Sequence, residues 1–154
     1  MQIHQLGRSD TTIIHHLADW YFDEWAVPKE TIIARLTTQS PDDILFHLIA
    51  RKDGQLVATG GIHFNVGLVR THEEFKPYSP WVSMVYCDKR FRNQGIGEFV
   101  LKAIERKALE LGYSKLYLYT NSAERLYLRN QWTTFARVLY KGKDTAVMEK
   151  EFNV

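Results

Sequence analysis

The stretch from Trp81 to Leu101 holds the residue types best suited to chemistry. A strand-like run, Trp81-Val-Ser-Met-Val-Tyr-Cys87, passes through Arg90, Arg92, Gly95 and Gly97 into a helical run. The first N–H groups of a helix have no intrahelical partner, and the helix dipole adds partial positive charge there. Glycines let the backbone approach a ligand closely. Two arginines add permanent cations, so the segment reads as a cradle for a phosphate group. It is not a dinucleotide fingerprint, because Gly95-Ile-Gly97 is followed by Glu98-Phe99-Val100 and the third glycine is missing. It is not a P-loop, because no Gly-Lys-Ser/Thr follows. From two glycines alone, a plain loop-to-helix junction stays open.

Other reactive side chains are scattered. Cys87 is the single cysteine, with no histidine partner near it in sequence, and reads as a small buried residue. One cysteine excludes an intramolecular disulfide and any multi-cysteine zinc site. His15 and His16, near Asp19, point about 100° apart on a helix and make a poor metal site, so no metal is expected. Asp23, Glu24, Glu73 and Glu74 are candidate bases or plain surface charges. Tyr127 shares a helical face with Ala123, Leu126 and Asn130, which by itself suggests a core ring.

Seven strands and four helices are needed to carry these residues. Ser9 to Thr12 offers caps for a helix over 11–25, where Ile13, Ile14, Leu17, Ala18, Tyr21, Phe22 and Trp25 repeat at three- and four-residue steps. Pro28 fits the first turn of a second, short helix. Asp53-Gly54 joins two strands, 45–51 and 55–64, as a hairpin. Gly60-Gly61 marks a bulge or a close backbone approach. Residues 65–80 read as one long loop. A long helix follows from Gly95 to Leu111, with Glu98 and Lys102 placed as an ion pair. A strand at 115–120 comes next, then Asn121-Ser-Ala-Glu124 as a capping box for a helix to Asn130. Strands near 133–140 and 145–152 close the chain. Hairpins mixed with crossovers imply an α/β chain with a mixed sheet packed by helices.

The chain has 154 residues, 45% hydrophobic and 25% charged, which suits one domain spanning 1–154. A net charge of +2 excludes a strongly basic nucleic-acid domain, so no nucleic acid is expected. The start carries no basic-then-apolar leader, and no run of about 18 apolar residues appears. A cytoplasmic protein without a membrane partner is the expectation.

The segment 92–97, Arg-Asn-Gln-Gly-Ile-Gly, resembles the Arg/Gln-x-x-Gly-x-Gly/Ala signature of the GNAT family of acyl-CoA N-acyltransferases. The element order resembles that family's fold over essentially the whole chain. A second stretch, Leu116 to Tyr127, resembles the strand and helix that end in the family's tyrosine. Gln131-Trp132 stands where the family has Gly-Phe/Trp, and Glu98 stands where it often has a small, hydroxylic or basic residue.

The resemblance implies an enzyme that moves an acetyl group from acetyl-CoA to a primary amine of a small molecule or protein, by direct attack. It implies cofactor contacts at Val85, Tyr86, Cys87, Arg92, Asn93, Gln94, Gly95, Ile96, Gly97 and Glu98. It implies Tyr127 as the acid that protonates the CoA sulfur, and Glu74 is the first choice among the candidate bases. A non-catalytic acyl-CoA-binding module is the alternative reading. A relative acting on charged tRNA gains nothing from the near-neutral charge. A homodimer stays open.

Overall fold

The structure is a computed structural model that describes residues 1–153. A seven-stranded mixed sheet runs through it, in the order β1-β2-β3-β4-β5-β7-β6. The strands are β1 (Gln2–Gln5), β2 (Ile44–Lys52), β3 (Gln55–His63), β4 (Trp81–Cys87), β5 (Lys115–Thr120), β6 (Thr133–Tyr140) and β7 (Lys143–Glu151). All neighbours are antiparallel except β4 and β5, which are parallel and pair only at Trp81 and Tyr117.

Among the described residues there are five helices: α1 (Thr11–Trp25), α2 (Lys29–Thr38), α3 (Gly67–Thr71), α4 (Ile96–Glu110) and α5 (Glu124–Arg129). The expected fold class holds, with one helix more than expected. The extra helix α3 and a 3-10 turn at Glu73–Phe75 lie inside the segment read as a loop. Both are too short for a periodic signal, and burial of Leu68 and Phe75 holds them in place.

Alternation along the strands sorts the core onto two faces. Phe46, Leu48, Val82, Leu116, Leu118 and Met148 pack against α4, through Val100, Leu101, Ile104 and Ala108. On the other face, Ile44 and Ile49 pack against α1 and α2 through Ile14, Leu17, Tyr21, Ile32 and Leu36. Trp81, Tyr117 and Val147 pack there against Leu68 and Phe75. Both helix spans at 11–25 and 29–38 follow the apolar spacing. The hairpin also follows: Asp53 and Gly54 have φ of 51° and 79°, which matches a type I′ turn.

Gly60 and Gly61 lie at close approaches. A Cβ on Gly61 would run into the Phe46 carbonyl oxygen, and one on Gly60 would sit 3.0 Å from Val85 Cγ2. The register slips here: Thr59 pairs with Tyr86 but Gly61 pairs with Ser83. The extra residue therefore belongs to β4, where Met84 has φ of 58°. That conformation is unfavourable for a residue with a Cβ and needs outside support.

Three local expectations fail, each because a side chain finds a different partner. Asp10 is the N-cap of α1 but makes no side-chain bond to the helix; its carboxylate accepts from Gly7 N–H at 2.7 Å. No capping box forms at 121–124. Thr120 Oγ1 accepts from Ser122 and Ala123 N–H instead, and Glu124 accepts from Thr134 and Arg137. Lys102 pairs with Glu105 at 3.7 Å rather than with Glu98.

Candidate functional site

After the single Trp81–Tyr117 pairing, β4 and β5 part. No strand covers that edge of β4 among the described residues, so backbone groups of residues 82–87 border an open split. Met84 lies three residues beyond Trp81, and Thr120 three beyond Tyr117. Both lie on the parts of their strands beyond that pairing. Val85 and Cys87 turn toward the α4 face, whereas Tyr86 packs under α1 against Trp20 and Trp25. Burial raises the Cys87 thiol pKa, so its thiolate is disfavoured, in line with a small half-buried residue.

Past Cys87 the chain turns through Lys89–Phe91 and enters α4 at Gly95, whose φ of 77° suits glycine. Asn93 also has positive φ, at 63°, which asparagine tolerates better than most residues. The N–H groups of the first α4 turn, Ile96, Gly97 and Glu98, are those a helix leaves without intrahelical partners. Gly97 is informative. A Cβ there would meet nothing nearer than Leu126 Cδ2 at 4.0 Å, so the fold itself does not require glycine. The bare backbone leaves room beside the helix N-terminus for a ligand, and these residues fit a pyrophosphate.

The charges around this loop are arranged differently from the sequence expectation. Arg90 is held by Asp88, with Nη2 to Oδ2 at 2.9 Å. That guanidinium lowers the Asp88 pKa. Arg92 folds back along β4: its Nε donates to the Cys87 carbonyl at 3.1 Å, its guanidinium lies over Tyr86, and Glu24 is 3.7 Å away. Glu98 turns away from the loop toward Asn130 and Arg129, at 3.4 and 3.7 Å. Lys52, at the end of β2, donates to Gln94 at 2.9 Å and adds a cation the sequence did not reveal. The two residues are far apart in the chain, with no local pattern to connect them.

Tyr127 sits at the C-terminal end of α5, within the core cluster beneath α4 and 7% exposed. Burial pushes its pKa up to about 12, so it stays protonated at neutral pH. Its hydroxyl has no hydrogen-bond partner among the described residues, yet no buried side-chain polar atom is left unsatisfied. The phenol end therefore reaches an accessible margin of the core rather than a sealed one.

Gln131 explains how that helix ends. It takes φ of 66°, its N–H bonds to the Leu128 carbonyl, and Trp132 N–H bonds to the Tyr127 carbonyl. This is a Schellman motif, in which glycine is the usual left-handed residue. The ring contact between Tyr127 and Trp132, 6.1 Å between centroids, is its hydrophobic partner. Trp132 Nε1 donates to buried Glu105 at 2.9 Å, and Lys150 donates to the same carboxylate at 3.0 Å. The corner keeps the glycine conformation without glycine.

Glu74 is exposed on the 3-10 turn, while its neighbour Phe75 is buried on the Tyr117 face of the sheet. Tyr127 belongs to the cluster on the Leu116 face. The structure thus brings together 85–87 with the loop 92–98, and Tyr127 with Glu98 through Asn130, but it does not bring Glu74 to Tyr127. No metal-holding group of histidine, cysteine or carboxylates occurs among the described residues. Among those residues, no helix is long and apolar enough to cross a membrane.

The fold recurs in solved structures. An aminoglycoside 6'-N-acetyltransferase complexed with coenzyme A superposes with a TM-score of 0.75 at 14% identity, covering 98% of this chain and 97% of that one. A ribosomal-protein-alanine N-acetyltransferase from Brucella melitensis gives 0.72 at 18%, covering 99% and 100%. A PaiA N-acetyltransferase from Thermoplasma acidophilum, in complex with coenzyme A, gives 0.67 at 18%, covering 98% of each. No curated protein matches the chain in sequence. The acetyltransferase (GNAT) family model matches residues 12–131, most of the chain. With the split sheet and the glycine loop at its mouth, this places the chain in the GNAT acetyltransferase family.

Proposed function

We propose that the protein transfers an acetyl group from acetyl-CoA to a primary amine in a ternary complex. The observation that carries this reading is the junction of β4 with α4. An open strand edge leads into a loop whose Gly97 leaves the helix N-terminus bare. Acetyl-CoA supplies the acyl group as an activated thioester. The N–H groups of Ile96, Gly97 and Glu98 would hold its pyrophosphate, and the free edge at 85–87 its pantetheine arm. A backbone N–H of the same edge would receive the charge that develops on the thioester oxygen. Tyr127, protonated and without a protein partner among the described residues, would give its proton to the departing sulfur. Holding both reactants in one split supplies proximity, so no enzyme nucleophile is needed.

The acceptor would approach from the Thr120 side. A groove there of about 560 Å³ is lined by Thr120, Ser122, Glu124, Arg137, Lys143 and Asp144. Arg137 is bonded to both Glu124 and Asp144, so neither carboxylate is free to remove a proton from an amine. A water held by backbone groups, or Glu74 on a rearranged turn, remains for that step.

Thiol release from acetyl-CoA against a panel of amines tests the reading, alongside the melting temperature with the cofactor. Acetyl-CoA should raise the melting temperature by binding only the folded chain. Tyr127→Phe should lower turnover about 100-fold with unchanged affinity for acetyl-CoA. Binding with no turnover on any amine would favour the non-catalytic module instead.

A further inference from the structure

Two buried histidines have no part in the chemistry above. His47 on β2 and His63 on β3 are both fully buried, under α1 and α2. They belong to an unbroken chain of contacts. Arg35 Nη2 lies 3.1 Å from His63 Nδ1, and His63 Nε2 lies 3.0 Å from His47 Nδ1. His47 Nε2 lies 3.1 Å from the Tyr21 hydroxyl and 3.0 Å from the Thr59 hydroxyl. Tyr21 in turn donates to the Met84 carbonyl at 2.9 Å.

The hydrogens follow from the two ends of the chain. A guanidinium has only donors, so His63 Nδ1 accepts. A neutral His63 then carries its hydrogen on Nε2 and donates to His47 Nδ1. At the other end, Thr59 donates to the Leu48 carbonyl at 2.8 Å, and Tyr21 to Met84. Both hydroxyl hydrogens are used, so both oxygens face His47 as acceptors, and His47 carries its hydrogen on Nε2. The two ends give one answer: both rings neutral, both with Nε2–H. A second proton on either ring would set donor against donor. Burial and the Arg35 charge disfavour it, lowering His63 well below its ordinary value and His47 to about 3. Arg35 takes up no proton, so the chain does not carry protons outward. It holds geometry.

What it holds is Met84. This residue has φ of 58°, lies where β4 slips against β3, and borders the split between β4 and β5. We propose that Tyr21, His47 and His63 are positioning residues that fix the Met84 peptide in its left-handed conformation, so that the backbone of the β4 bulge is set for the thioester. This rests on the acetyltransferase reading.

Tyr21→Phe removes the hydrogen bond to Met84 and one of the two hydroxyl acceptors of His47 Nε2–H, leaves Thr59 as the other, and keeps the ring. Turnover should fall about 10-fold, with KM and Kd for acetyl-CoA within about two-fold of wild type. Independently, 15N spectra of wild-type imidazoles should show His47 and His63 neutral with Nε2–H and unchanged from pH 8 to pH 5. Either ring titrating in that range, or in the Nδ1–H form, overturns the assignment. Wild-type turnover in Tyr21→Phe, or a loss seen equally in cofactor affinity, overturns the positioning role. If wild type acts on no amine, the acetyltransferase reading fails by itself, and the backbone amide shifts of 83–86 then decide. Moved in Tyr21→Phe, they support the device; unmoved, they overturn it.

Discussion

The loop at 92–98 and the bulge at Met84 belong to one strand–loop–helix segment, and they are held in opposite ways. The loop is mostly exposed and keeps its shape by backbone conformation at Asn93 and Gly95, with side chains reaching outward to Glu24, Lys52 and Arg129. The bulge is held from beneath by a largely buried chain of side chains drawn from α1, α2, β2 and β3. The loop can adjust around a charged ligand. The bulge is held in one shape with no ligand present, as its proposed part in stabilising a transition state requires.

If this contrast is right, damage to the two regions should carry opposite signatures. The largest effect is expected from His47→Leu. It leaves the His63 Nε2–H buried without an acceptor and takes a donor from Tyr21 and Thr59, costing about 2–4 kcal/mol of stability. Urea unfolding measures the loss, and the affinity of the remaining folded chain for acetyl-CoA should be unchanged. Gly97→Val is the mirror image. A Cβ has space there in the free chain, so the urea midpoint should change little. It should weaken acetyl-CoA binding about 10–100-fold by filling the space beside the helix N-terminus. Stability lost at Gly97, or affinity lost at His47, would erase the distinction.

The same contrast decides what could be read before the structure. The loop's signature lies in six contiguous residues, 92–97, and its glycine spacing is a local pattern, so its place and its helix were legible. The α1 and α2 faces were legible through apolar spacing, and the hairpin through Asp53-Gly54. The buried chain was not, because residues 21, 35, 47, 59 and 63 form no pattern until the sheet pairs β2 with β3 and lays two helices over them. The bulge was half legible. Gly60-Gly61 announced a close approach, but the extra residue sits on the opposite strand, at Met84. The Glu98–Lys102 pair and the capping box failed for a related reason. Both rest on local spacing, and partners distant in sequence, Asn130 and Arg137, outcompeted it.

A smaller effect should appear with pH. Both buried rings have pKa values below that of an unfolded histidine. Below about pH 6.5 the unfolded chain binds protons that the folded chain refuses, so stability falls as pH falls. For His47, whose folded value is about 3, the loss sets in below about pH 6.5 and grows as the pH falls toward that value. His63 adds to it in the same direction. Urea midpoints from pH 7 to pH 4 measure the slope, and His47→Leu should make it shallower. A slope undiminished in the variant would place the titrating groups elsewhere.

The smallest effect tests whether a backbone-held corner can be separated from the chemistry it supports. Gln131 occupies the left-handed position of the Schellman motif that ends α5, in the turn that follows Tyr127. A side chain there costs about 1 kcal/mol relative to glycine, part of which glycine returns through its greater freedom when unfolded. Gln131→Gly should therefore stabilise the chain by only about 0.5 kcal/mol. The Tyr127–Trp132 contact and the Trp132–Glu105 bond already fix the corner. Turnover and acetyl-CoA affinity should accordingly match wild type. A gain in turnover would show that glutamine strains the tyrosine, and would make this corner, like the bulge, part of the machinery rather than its frame.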